Sequence, residues 1–97
     1  GLPLPYRLKR TLMKETEYQR AEHWLRRAVR NAPKPLPSGR FPRLLEQAVR
    51  AGFSRSIVND VVDAWLQYGY CRVTDQITDD IALTPAGMTY FGGVNDA

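Results

Sequence analysis

The chain contains one cysteine, Cys71, and one histidine, His23. A single cysteine closes no internal disulfide, so a reducing compartment is the simplest setting. One histidine and one cysteine on separate segments make neither a recognisable zinc site nor a nucleophile–base pair. The sequence therefore offers no catalytic residue, no metal site and no cofactor. Long apolar runs are also lacking: none reaches the length of a membrane span, and the first residues show neither the basic start nor the continuous apolar segment of a secretion signal. No glycine-rich loop opens a helix to cradle phosphate, since Gly92 and Gly93 follow the last helical pattern. The acidic stretch TDQITDD lacks the glycine and terminal glutamate of a calcium loop. These absences point to a non-enzymatic intracellular protein. Gly1 in place of methionine suggests that the natural chain is longer.

What is present suits one compact domain: 97 residues, 43% hydrophobic and 25% charged. The net charge of +4 hides a strong asymmetry, with residues 1–50 at +8 and residues 51–97 at −4. Attraction to a polyanion is thus expected on surfaces built from the first half. Solvated helix faces would give the same composition.

GLPLPYRLKR holds two prolines, and the expectation is a basic arm over residues 1–12 with no helix before Thr11. A domain over residues 13–92 and a tail over 93–97 follow. Tyr18, Ala21, Trp24, Leu25, Ala28 and Val29 repeat at helical spacing, with Arg20, Arg26, Arg27 and Arg30 largely off that face. PKPLPSG ends this helix at Asn31 or Ala32 and forms a connector, with Leu36 tucked inward. RFPRLLEQAVRAG is a second helix, buried through Phe41, Leu44, Leu45, Ala48 and Val49 and stopped at Gly52. Ser54 caps a third, which buries Ile57 or Val58, Val61, Val62, Trp65 and Leu66 and closes at Gly69. The period then falls to two: Tyr70, Arg72 and Thr74 alternate with Cys71 and Val73, and IAL at 81–83 is the antiparallel partner. Thr84 and Pro85 start a short final helix.

Several features carry a family resemblance. Ala48 lies four residues before Gly52, with Val58 and Val61 six and nine beyond it; LQYGY runs into CRVT; LTPAG follows the hairpin. Over about residues 18–91 this resembles the winged helix-turn-helix superfamily. The resemblance implies a mainly helical α+β fold of three helices, a two-stranded β-hairpin wing and a short C-terminal helix. It also implies duplex DNA as a partner, in transcription regulation or in DNA replication and maintenance, and with it a cytoplasmic or nucleoid-associated location.

On that reading the third helix enters the major groove, with Arg55 facing guanine, Asn59 facing adenine, and Ser54 and Ser56 donating to phosphate beside the helix N-terminal amides. Arg40 and Arg43, at the start of the second helix, and Arg7, Lys9 and Arg10, on the arm, supply backbone contacts. Arg50 lies near the second helix's end. Ser54 as a simple cap and Arg55 with Asn59 as a solvated pair are the structural alternatives. Asp60 and Asp63 on the third helix, and Asp75, Asp79 and Asp80 at the hairpin tip, would meet like charge from a duplex. They motivate the alternative of a protein-docking or oligomerisation module that uses its acidic third helix and wing, as a homodimer or in a larger assembly. Trp24 and Trp65 belong to the core. Tyr68, Tyr70, Tyr90 and Phe91 cluster near the hairpin and final helix. The arginines of the first helix are solvated or pair with Glu17 and Glu22, and His23 is a surface residue.

Overall fold

The computed structural model describes residues 6–92, with side chains from Thr16 onward. The order is α1 (Tyr6–Asn31), α2 (Arg40–Arg50), α3 (Arg55–Gln67), β1 (Cys71–Asp75), β2 (Asp80–Leu83) and α4 (Pro85–Phe91). This is a small α+β fold with one two-stranded antiparallel sheet.

α1 begins at Tyr6, so the expected break before Thr11 is absent. The reason lies in the residues: no proline occurs between Tyr6 and Asn31, and leucine, lysine, arginine, methionine and glutamate, all good helix formers, dominate the first turns. Arg7, Lys9 and Arg10 therefore stand on a helix, and their side chains lie outside the described residues. At 26 residues, α1 is about 39 Å long. Its buried stripe is Ala21, Leu25 and Val29.

Phe41, Leu44 and Ala48 of α2 and Ile57, Val58, Val61 and Trp65 of α3 close on that stripe. Both Ile57 and Val58 are buried; the α3 face is wide enough that neither has to be chosen. Cys71, Ile81 and Phe91 complete the core, with Leu36 of the connector packed against its edge. Trp65 is the hub, edge-to-face with Phe91 at 4.7 Å and tilted against Phe41 at 6.5 Å.

The α2–α3 turn follows the residue chemistry. Gly52 adopts φ 115°, a conformation that side chains oppose. The Phe53 amide then reaches back to the Ala48 carbonyl at 3.2 Å, closing α2 as α3 starts.

In the hairpin, Cys71 pairs with Leu83, Arg72 with Ala82, Val73 with Ile81 and Asp75 with Asp80, and a bulge separates Val73 from Asp75. Alternation holds only at its base. Cys71 is buried, but Val73, on the same face by period, is 41% exposed while its partner Ile81 is buried, because α2 packs on β2 rather than on β1.

Candidate nucleic-acid interface

The first turn of α3 is fixed from two sides. The Ser54 hydroxyl accepts from the Ile57 amide at 3.2 Å, a side-chain cap, and the Ser54 amide donates to the Glu17 carboxylate of α1 at 3.3 Å. The cap alternative for Ser54 is the arrangement found. Its amide is committed to Glu17, which sets a carboxylate beside this helix start.

Arg55, Ser56, Asn59, Asp60 and Asp63 are all exposed along α3. Arg55 and Asn59, four apart, share a face. They do not pair with each other: the Arg55 guanidinium donates through both terminal nitrogens to Glu46 of α2, at 2.9 and 3.2 Å. The fork-on-fork geometry is the same one that a guanine edge would use. Arg55 holds the Glu46 carboxyl below its usual range, chiefly by the hydrogen bond and then by charge. Among the described residues this is the one ion pair. Both partners are more than half exposed, so it is a weak tie that solvent and salt loosen.

On α2, Arg43 and Arg50 are exposed and Arg40 is half-buried at the helix start. Glu46 stands between Arg50, on its own helix, and Arg55, across the turn. The sequence reading missed Glu46. Its signal was position, one turn before the end of α2 on the solvated side, but only the α2–α3 packing carries it to Arg55. One further arginine, Arg72, belongs to the hairpin. It is exposed on the outer face of β1, where the alternating pattern had put it.

The three hairpin carboxylates do not act as one acidic tip. Asp80 is 8% exposed: one oxygen accepts from the Gly39 amide at the start of α2 at 2.8 Å, and the other from the Ile81 amide at 3.0 Å. A side chain placed at the tip by sequence is thus a buried brace between wing and connector. Asp75 accepts from the Ile77 and Thr78 amides at 2.9 and 3.3 Å and so shapes the turn. Asp79 is exposed at φ 60°, a backbone region that aspartate tolerates. At the apex stands Ile77, 93% exposed.

The arginines and glutamates of α1 separate. Arg26 lies over the Tyr90 ring at 4.2 Å and donates to the Tyr90 carbonyl at 3.1 Å. Glu22 accepts from the Trp65 indole at 3.3 Å and from the Tyr90 hydroxyl. Glu17 and Glu22 therefore serve α3 and α4 rather than the arginines of their own helix. The tyrosines do gather as expected, with Tyr70 and Tyr90 stacked at 4.1 Å and Tyr68 at 5.8 Å from Tyr70; Tyr68 is 67% exposed. Burial pushes the Cys71 thiol up to about 11, so at neutral pH it is an uncharged core group.

Among the described residues, no three His, Cys, Asp or Glu side chains are grouped to hold a metal, and no helix is long and apolar enough to cross a membrane. No protein-family model matches the sequence, and neither a curated protein nor a solved structure gives a significant match.

Proposed function

We propose that this chain is a non-catalytic winged helix-turn-helix domain that binds duplex DNA, in transcription regulation or in DNA replication and maintenance. The observation that carries the reading is the row Arg55, Ser56 and Asn59, exposed on the first turns of the helix that follows the α2–α3 turn. A helix in that position, with a hairpin directly after it, fits a major groove. Asn59 has the donor and acceptor pair that adenine requires. Arg55 exchanges the Glu46 carboxylate for a guanine edge at little cost, because the pair it leaves is exposed. Arg43 and Arg50 on α2 and Arg72 on β1 supply phosphate contacts around the reading helix, with Arg40 at their edge.

The test is binding of the chain to random-sequence duplex over a salt series, with single strands in parallel. The expected result is duplex affinity that falls steeply with salt, by a log–log slope of about −0.9 per phosphate contacted. On a selected site, Arg55→Ala costs about 1–3 kcal/mol. No duplex binding at low salt would sink the proposal.

One observation favours a second reading. Asp60 and Asp63 are exposed on α3 while the Arg55 charge is neutralised by Glu46, so the face is locally acidic. A basic protein surface would complement it. Asp60→Lys with Asp63→Lys separates the readings: a gain in duplex affinity supports DNA, and loss of a captured protein partner supports docking.

A further inference from the structure

Away from the α3 reading face, the outer side of α1 and the α2–α3 turn enclose an open groove of about 720 Å³. Its floor is Trp24, Ala28 and Phe53, with the two aromatic rings edge-to-face at 6.3 Å and 64°. All three are only half-buried, so this apolar floor remains wet in the isolated chain. Arg20, His23 and Arg27 form its rim. Neither Arg20 nor Arg27 has an acidic partner among the described residues, in contrast to Arg55, which is paired, and Arg26, which is spent on Tyr90. An unneutralised basic rim around a wet aromatic floor fits an occupant with an apolar knob flanked by carboxylates.

The chain itself carries such a knob. Ile77 is 93% exposed at the hairpin apex, between Asp75 and Asp79, both exposed. The turn that presents it is pinned, because the Asp75 carboxylate accepts from the Ile77 and Thr78 amides. A pre-shaped turn loses little further freedom on docking. The turn end of β2 is also braced, through the buried Asp80 and the Gly39 amide. No hairpin residue lines the groove of its own chain, so the two features occupy separate surfaces.

We propose that the Trp24–Phe53 groove receives the hairpin tip of a second copy of this chain, with Ile77 on the aromatic floor and Asp79 against Arg20 and Arg27. The contact joins two different surfaces, so it is head-to-tail: each copy that donates a tip still offers an empty groove, and assembly continues into a ring or a filament. Asp75 contributes by fixing the turn and adds to the negative potential that meets the rim. The proposal does not depend on DNA binding, and its test contains no nucleic acid.

The test is sedimentation of the purified chain across concentration at low and high salt. The average mass is expected to rise with concentration past that of a dimer or to settle at a closed ring, and to fall as salt screens the rim. Ile77→Asp and the double variant Arg20→Glu/Arg27→Glu each alter only exposed side chains. Circular dichroism is expected to show the parent fold in both, and each alone is expected to be monomeric. Mixed, they re-form one complex of one copy each, since the first variant still has a groove and the second still has a tip. Asp79→Asn, which tolerates the same backbone, weakens self-association about tenfold. A parent chain that stays monomeric at every concentration overturns the proposal. So does self-association that survives Ile77→Asp, or a mixture that fails to form the heterodimer. Binding of a foreign acidic peptide to this groove without self-association would identify a different occupant and also overturn it.

Discussion

A methyl group added at position 87 would lie 1.8 Å from the Tyr70 carbonyl oxygen. That oxygen cannot yield, because it also accepts from the Thr84 amide at 3.1 Å, and Thr84 in turn caps α4 by accepting from the Gly87 amide at 3.0 Å. Helix propensity alone favours alanine over glycine here by about 1 kcal/mol, so the two effects have opposite signs. The backbone clash wins: Gly87→Ala is expected to destabilise the domain by about 3 kcal/mol, read as a lower urea midpoint. A higher midpoint would mean that propensity rules and α4 is loosely docked. The neighbouring Ala86 is exposed, and Ala86→Ser serves as the neutral control. LTPAG announced the Thr84 cap and the Pro85 first turn, because both are local. The need for glycine at 87 was not legible, since it is set by a carbonyl in another segment. Asp80 illustrates the same limit: nothing in TDQITDD separates it from Asp79, and only the approach of Gly39 turns it inward.

Among the elements, α2 and α3 were legible nearly to the residue because each has its own punctuation, Pro42 and Gly52 for one, Ser54 and Gly69 for the other. The start of α1 is the exception: prolines at 3 and 5 imply no helix before Thr11, yet the helix begins at Tyr6, directly after them. What links α2 to α3 on the outside, Glu46 to Arg55, could not be read from either helix alone. That link has a consequence for the proposed reader. In Glu46→Gln the competing carboxylate is gone and Arg55 is free for a duplex. Affinity for random duplex is expected to rise, and the log–log salt slope to steepen by about 0.9, one additional cation engaged. Stability should barely change, because both partners of the pair are exposed. Glu46→Gln combined with Arg55→Ala is expected to abolish the gain. Weaker duplex binding in Glu46→Gln would mean that the carboxylate aims Arg55 at the DNA rather than withholding it.

For the whole molecule, carboxylates from the basic half of the sequence are tied by folding to neutral donors of the second half. Glu17 of α1 accepts from the α3 start, and Glu22 from Trp65 of α3 and Tyr90 of α4. These ties span 37 to 68 positions and lie beyond any periodicity argument. Spacing on one helix pointed Glu22 toward arginines of α1, whereas packing delivered it to an indole and a phenol. The Tyr90 hydroxyl, desolvated first by burial and then held by the Glu22 carboxylate, is pushed up from an ordinary 10.0 to about 12. A raised phenol keeps its proton in the folded state at a pH where the unfolded chain has lost it. Its stabilisation is therefore complete below the unfolded pKa and is lost as pH climbs from there through the folded value. The urea midpoint is expected to fall across that window, and Tyr90→Phe, with no proton to hold, is expected to start lower and fall less. Tyr18 and Cys71 shift in the same direction, so the difference between parent and variant isolates Tyr90. Tyrosinate absorbance provides the independent reading, with the variant losing one late-titrating phenol relative to the parent while that of Tyr18 remains. Identical alkaline profiles for the two proteins would remove Glu22 and Tyr90 from the joint that holds α4 to α1.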